Sequence, residues 1–423
     1  MRFVYELLLL IGLSLYLPRA LWRKRLPHRG WMMRLGRYPT AVHKQLGSRR
    51  TIWVHAVSVG EIMAVQPLVH ELLAFATDTP LVLSTITPSG FQVASRWLGE
   101  RGVTIYAPLD FRLTVRWSLE AIRPRMLLLV ESELWPTLVH LTKHQQGSVA
   151  VVNGRISERA YRRYLWVRPW LKGVLESVDL FLMQTEEDAR RLVAMGAPPS
   201  RVQVLGSLKW DASLISRPKP AELAALSARL GLGAGDALIV AGSTHRGEER
   251  ALLEAFQGLR AQLDHVRLII APRHLERVGE VEALSRQSGL SVRRVSQTAS
   301  ASSWDVAIVD TLGQLPAHYG LATVVFVGGS LIPHGGQNPL EPASLGKPII
   351  FGPSMENFAE IARQLLAHQA AYQLQDRSEL TSILQGFLVD QARREAMGQR
   401  AQALVERLSG TSTRTLEALK EFL

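Results

Sequence analysis

The run FVGGSLIPHGGQNPLEPASLGKPIIFGP, Phe326–Pro353, decides the fold. An apolar stretch, Val324–Val327, ends at the pair Gly328-Gly329, and a second glycine pair follows at Gly335-Gly336. Asn338 then stands where a cap is wanted for a helix opening at Pro339-Leu340, and Pro348–Phe351 is a further apolar stretch. Strand, loop, helix and strand in that order is the repeating unit of a parallel α/β sheet. Glycines at the strand end let the backbone come close to a ligand and take positive φ. The free N–H groups of the helix start suit a phosphate, and Glu341 in its first turn is placed for a ribose diol or a base. The plain alternative is a loop whose glycines only make turns.

Outward from that run the same alternation fills the chain. Ala237–Ala241, Val266–Ala271, Ser291–Val295 and Val306–Val309 read as further strands on its N-terminal side. Earlier still come Thr51–Val57, Leu81–Ile86, Val103–Tyr106, Met126–Val130, Val149–Val152 and Leu180–Gln184. Short stretches apolar throughout are the pattern of strands buried on both faces. Helical spacing lies between them, as in Ile62, Val65, Val69, Leu72 and Leu73, with Pro67 expected in a first turn or at a bend. The pattern pauses at Ser207–Pro220, where Ser216–Pro220 (SRPKP) is a stiff polar connector. A length of 423 residues suits two domains. Two doubly wound sheets facing a cleft are therefore predicted, with ligands at the carboxyl ends of their strands. A long helical pattern, Asp390 to Leu423, closes the chain.

Other strand ends carry chemistry too. Pro272-Arg273 follows an apolar stretch, where an Arg is either a phosphate clamp or an ordinary surface residue. Ala241–His245 precedes a helix bearing Glu248 and Glu249 and reads as an anion-binding helix start; Gly313, before Gln314-Leu315, opens another. Four such ends in one half make that half the donor site. The first half offers carboxylates. Glu61 opens a helix beside Gly60, where the helix dipole favours the ionised form that a general base needs, or merely supports the helix. Glu131 and Glu133 lie just past a strand, as catalytic acids or solvated loop acids, and Lys209 sits at the domain junction.

Absences narrow the chemistry. There is no Asp-x-Asp pair, no His-Glu-x-x-His, no Gly-x-x-x-x-Gly-Lys-Ser/Thr loop and no Gly-x-Ser-x-Gly elbow. Cysteine is absent, which removes disulfides, thiolate catalysis and Cys-held zinc. The net charge is +12, yet eleven Lys or Arg against the single acid Glu6 place ten of those charges in residues 1–50. A nucleic-acid reader spreads its basic residues over a folded face, so no nucleic-acid partner is expected. Here the basic residues follow the apolar segment Phe3–Leu17, the reverse of a cleavable signal peptide. That segment is shorter than the roughly 20 residues of a spanning helix. It reads as a membrane anchor, spanning or shallow, or as a buried core helix. With Trp22, Trp31 and the basic cluster at anionic lipid, the bulk of the chain stays on the cytoplasmic side.

Six motifs then resemble one family in its own order: HAVSVGE (His55–Glu61), ESELWP (Glu131–Pro136), GSLKWD (Gly206–Asp211), AGSTHRGEE (Ala241–Glu249), PRHLER (Pro272–Arg277) and GGSLIPHGGQNPLEPA (Gly328–Ala343). The family is the 3-deoxy-D-manno-octulosonic acid (Kdo) transferases of lipopolysaccharide assembly. The resemblance implies a metal-independent glycosyltransferase of GT-B type: two Rossmann-like domains facing a cleft, plus the N-terminal membrane-anchoring helix. Its anchor and basic apron would be residues 1–30, its acceptor domain 31–212 and its donor domain 213–423, with a last helix able to pack back on the first domain. It implies a CMP-Kdo donor, a lipid A precursor (lipid IVA) as acceptor, no cofactor, and residence at the inner membrane. By the same resemblance Glu61 is the base, and Glu131 and Lys209 stabilise the transition state. Pro272, Arg273, Gly313, Gln314, Leu315, Asn338, Pro339, Leu340 and Glu341 contact CMP. Gln314 and Gln337 depart from the family pattern, which has an acid and a His there. The rival readings are a nucleotide-sugar epimerase on the same frame and a non-catalytic membrane-surface scaffold.

Overall fold

A computed structural model describes residues 5–7, 9–12, 14–15, 30–233, 235–263, 265–297 and 304–423. The basic cluster expected between Arg19 and Arg29, together with Trp22, lies outside the described residues. The chain divides into two compact units, Met1–Ala212 with Ser409–Leu423, and Ser213–Leu408. Among the described residues no helix is long and apolar enough to cross a membrane.

The first unit is built on a seven-stranded parallel sheet: β1 (Thr51–His55), β2 (Leu81–Thr85), β3 (Val103–Tyr106), β4 (Pro124–Val130), β5 (Ser148–Gly154), β6 (Leu180–Met183) and β7 (Val202–Val204). Its order is β3-β2-β1-β4-β5-β6-β7, so the chain reverses direction of winding between β1 and β4. Alternate residues feed two cores. Trp53, Leu127 and Val151 pack on one face, and Ile52, Val54, Leu128 and Val152 on the other. Both faces are covered, which is why these strands read as continuous apolar runs.

The second unit repeats the plan with β8 (Ala237–Thr244), β9 (Val266–Pro272), β10 (Val292–Arg294), β11 (Val306–Ile308), β12 (Val324–Val327), β13 (Ile349–Phe351) and β14 (Tyr372–Gln373). The order β10-β11-β9-β8-β12-β13-β14 puts its reversal between β8 and β12. Two edge strands, β7 and β14, were not predicted. Each is at most three residues long and half-exposed, so neither carries an apolar run.

Two local expectations change. The first-turn alternative for Pro67 falls away: the residue is buried deep inside the Val59–Phe75 helix, the interior position where a bend is expected, and its ring nitrogen cannot donate to the Met63 carbonyl. The closing pattern from Asp390 to Leu423 is not one helix. It breaks at Gly410, which adopts φ +82°, into Gln391–Leu408 of the second unit and Thr411–Leu419 of the first. The buried Asp211 carboxylate holds the break: Oδ1 accepts the Gly410 amide at 2.7 Å and Oδ2 the Thr411 amide at 3.1 Å, with the Ser412 hydroxyl at 3.3 Å from Oδ1. Leu416 and Leu419 then enter the first unit's core. Asp211→Ala leaves those donors unsatisfied and should cost about 1–3 kcal/mol. Urea denaturation with amide exchange over Thr411–Leu419 checks this; unchanged midpoint and protection would show that the carboxylate holds nothing.

Candidate active site

In the first unit the predicted carboxylates meet at the reversal point, where parallel sheets place ligands. Glu61 follows β1 in the first turn of the Val59–Phe75 helix, whose cap is Ser58. The Ser58 hydroxyl donates to Glu61 Oε1 at 2.9 Å, and the Val57 amide donates to Oε2 at 2.8 Å. Glu131 follows β4 in a left-handed conformation, φ +61°, while its amide still donates to the Val152 carbonyl at 2.9 Å. A non-glycine residue held this way costs of order 1–3 kcal/mol and is commonest at functional sites. Its Oε1 pairs with Lys209 Nζ at 3.0 Å, both side chains about one-fifth exposed.

Electrostatics make Glu61 unusual. It is only 9% exposed. Burial, with the nearby charges of Glu131 and Glu133, pushes its pKa up to about 7, although the Val57 and Ser58 hydrogen bonds pull the other way. The expectation from the helix dipole alone, a readily ionised carboxylate, is thus overturned by desolvation. Glu133 is raised in the same sense, first by burial and then by Glu131. Trp135, which donates to Glu133 Oε2 at 3.3 Å, brings His55 beside the cluster. His55 is fully buried, receives or donates a hydrogen bond at Ser84 Oγ (2.8 Å), and lies edge-on to Trp135 at 4.7 Å; burial holds its pKa down near 4.

Asn153, which sequence reasoning did not single out, closes the cluster from β5. It too is left-handed, φ +55°, and its Oδ1 accepts the Leu208 amide at 3.0 Å, fixing the start of the segment that carries Lys209. The available signal was a polar residue ending the apolar stretch VAVVN.

The second unit answers the glycine question residue by residue. A Cβ on Gly328 would lie 2.5 Å from the Ser243 carbonyl oxygen, and one on Gly242 would lie 1.9 Å from the Tyr319 hydroxyl. These two glycines admit the protein's own chain, not a ligand. The buried Glu248 carboxylate accepts four amides, from His245, Gly329, Ser330 and Leu331, at 2.7–3.0 Å. A carboxylate of the chain thus takes three amides of the loop after β12, and it ties the end of β8 to the end of β12.

What is left facing outward is a set of side chains. Asn338 Oδ1 accepts the Leu340 amide at 3.0 Å, and its Nδ2 donates to Glu341 Oε1 at 3.3 Å. Glu341 has a pKa pushed up to about 7 by burial, against the pull of Asn338 and of the Arg273 charge. Arg273 is exposed, its amide held by the Thr244 carbonyl at 3.0 Å, while Pro272 is buried. Pro339 and Leu340 are buried, so their side chains belong to the core. Gly313 takes φ +81° with open space beside it, and the Gln314 carbonyl accepts from the His318 ring at 2.7 Å. The Leu315–Leu321 helix packs on the Leu340–Ser344 helix, which brings the Gly313–Leu315 corner to the same region. Gln337 Nε2 lies 3.2 Å from His245 Nε2, and the His334 ring packs against His245 with centroids 4.0 Å apart, tilted by 41°. Burial and the surrounding His and Arg groups depress the His245 pKa to about 4, so it is the neutral acceptor of the Gln337 amide. Among the described residues no three His, Asp or Glu side chains converge to hold a metal.

Comparison with known proteins gives this arrangement a family. A model of the 3-deoxy-D-manno-octulosonic-acid transferases (kdotransferases) matches residues 29–212. The 3-deoxy-D-manno-octulosonic acid transferase of Bordetella pertussis is 37% identical over 383 residues, covering 88% of this chain and 87% of its own. The chain belongs to the Kdo transferase family. A bifunctional glycosyltransferase/methyltransferase of Fusobacterium nucleatum is 31% identical over 90% of this chain, which spans 58% of that relative's length. The UDP-GlcNAc 2-epimerase of Neisseria meningitidis shares the fold, with TM-score 0.62 at 13% identity over 88% of this chain and 100% of its own. Two parallel-sheet α/β units of GT-B kind are thus common to transferases and epimerases, and the strand-end residues must separate them.

The raised Glu61 has a thermodynamic signature. Its folded pKa, about 7, exceeds the ordinary 4.5, so its contribution to stability is complete below 4.5 and is lost as pH rises through 7. Glu61→Gln carries no such penalty. Its melting temperature relative to wild type should climb between about pH 5 and about pH 8. A pH-independent difference would contradict the shift.

Proposed function

We propose that this family member transfers Kdo from CMP-Kdo to a hydroxyl of a lipid A precursor, lipid IVA, in one inverting displacement. The observation that carries the reading is Glu61: a buried carboxylate, pKa about 7, hydrogen-bonded in place beside Glu131 and Lys209. A general base works best with its pKa near the working pH. Glu61 takes the acceptor hydroxyl proton as that oxygen forms a bond to the anomeric carbon of Kdo. The bond from that carbon to the CMP phosphate oxygen breaks, and its electron pair leaves with CMP. Lys209, oriented by Glu131, supplies positive charge to the reacting groups, and Arg273 meets the departing phosphate.

Asn338 and Glu341 read the nucleotide, Glu341 through its carboxyl and Asn338 by holding that carboxyl in place. A monophosphate leaving group carries less charge than a diphosphate, which fits a reaction run by Arg and Lys without a divalent ion. The N-terminal basic apron keeps the enzyme on the cytoplasmic face of the inner membrane, beside an acceptor that bears phosphates.

Purified Glu61→Gln should bind CMP like wild type in calorimetry and lose Kdo transfer by on the order of 10²–10⁴-fold. Mass spectrometry of lipid IVA after incubation with CMP-Kdo reads the transfer and counts the sugars added. Near wild-type transfer by the variant would remove Glu61 from the role, and product formed from CMP-Kdo without acceptor would indicate an epimerase.

A further inference from the structure

Three imidazoles meet at the carboxyl end of the second unit's sheet, and the transfer scheme above uses none of them. His245 follows β8, His274 follows β9, and His334 stands in the loop between β12 and β13. The His245 ring centroid lies 4.0 Å from that of His334 and 5.8 Å from that of His274. The group borders the nucleotide corner twice. His274 is the chain neighbour of Arg273, and Gln337, which donates to His245, is the chain neighbour of Asn338.

Local backbone structure builds this meeting. Gly329 takes φ +67°, and a Cβ on it would press to 3.3 Å on both Gln337 and His245, so glycine lets the pair close. The His334 loop is pinned on its far side. The Asn357 side-chain amide donates to the His334 carbonyl at 3.1 Å, and the Gly335 amide donates to the Ser354 hydroxyl at 2.9 Å.

The nearby acids are engaged elsewhere. Glu248 spends its oxygens on backbone amides, and Glu249 and Glu280 pair with Arg277 at 2.7 and 3.3 Å. Glu276 stands 3.9 Å from His274 Nδ1 with 80% of its side chain exposed, a contact that solvent screens. Because His245 Nε2 accepts from Gln337, the ring carries its proton on Nδ1. His245 is only 7% exposed, and no acceptor among the described residues takes that proton. A buried donor left without a partner is costly, and beside Arg273 the partner it suits is an anion.

We infer that His245, flanked by His334 and His274, holds the carboxylate of the transferred sugar acid and so selects an acidic sugar over a neutral one. In a 2-ulosonic acid such as Kdo the carboxylate sits on the anomeric carbon, the carbon that also bears the phosphate ester. Its subsite must therefore lie directly beside the phosphate clamp, and the imidazole group lies beside Arg273. His245 donates Nδ1–H to a carboxylate oxygen, and Gln337 keeps the ring in the tautomer that can do so. This inference rests on the proposed use of CMP-Kdo and adds the residues that read its sugar.

The test uses full-length protein and separates the sugar from the nucleotide. It compares KM for CMP-Kdo, at saturating lipid IVA, with Ki for CMP as a competing ligand. His245→Gln keeps a polar group toward Gln337 but leaves no donor at the Nδ1 position. It should raise KM by at least about tenfold and leave Ki for CMP within about twofold of wild type. His245→Asn, whose side-chain amide can stand where Nδ1 was, should recover most of that loss. His334→Ala, at an exposed loop position where folding is not at stake, should raise KM by about threefold or more, again with Ki unchanged. A Ki that weakens in step with KM would place the phosphate, not the carboxylate, at the imidazoles and overturn the inference. Wild-type KM in both His334→Ala and a folded His245→Gln overturns it as well, while transfer by wild type leaves the CMP-Kdo reading standing. A wild-type enzyme that transfers no Kdo removes that reading, and the inference with it.

Discussion

A carboxylate taken out of water next to two others is the constraint around which the first unit is arranged. Glu61 could relieve its burial by staying protonated, by pairing with a cation, or by turning outward. The Val57 amide and Ser58 hydroxyl hold it inward, and Lys209 lies 3.0 Å from Glu131. Protonation near neutrality is what remains, and that equilibrium is what a proton acceptor needs. Left-handed Glu131 and Asn153 are local costs that keep this division of partners in place, one by carrying the competing carboxylate and the other by seating the Lys209 segment.

The second unit solves a different problem with similar parts. The loop after β12 presents backbone amides that a phosphate could take, but Glu248 takes those of Gly329, Ser330 and Leu331. The side chains the unit presents nearby are Arg273, Asn338 and Glu341, with the Gly313–Leu315 corner in the same region. Strand-end loops are stitched by an internal carboxylate, which gives those side chains a fixed base without spending the loop on a ligand.

The sequence makes the framework legible because strands buried on both faces need apolar runs, and all but the short edge strands β7, β10 and β14 have them. It also marks Glu61, Glu131, Lys209, Asn338 and Glu341, since strand ends and helix caps are readable positions. Which neighbour a side chain meets is not readable in this way. The ion pair of Glu131 with Lys209 joins residues far apart in the chain, and the Glu61 shift depends on burial that no single motif records. The two glycines at Gly242 and Gly328 are visible as glycines, but that they clear the protein's own Tyr319 and Ser243 follows only from packing. The helix break at Gly410 was hidden because its partner, Asp211, lies two hundred residues away.

The most direct test of this account is the pH dependence of kcat/KM for Kdo transfer from CMP-Kdo, compared between wild type and Glu131→Gln. Wild type should lose activity as pH falls through about 7, the pKa set on Glu61 by burial and its carboxylate neighbours. Removing the Glu131 charge should move that acid limb to lower pH, whatever it does to the maximal rate. An acid limb that stays in place in the variant, or is absent from wild type, would contradict the claim that Glu61 is the base and that its neighbours tune it.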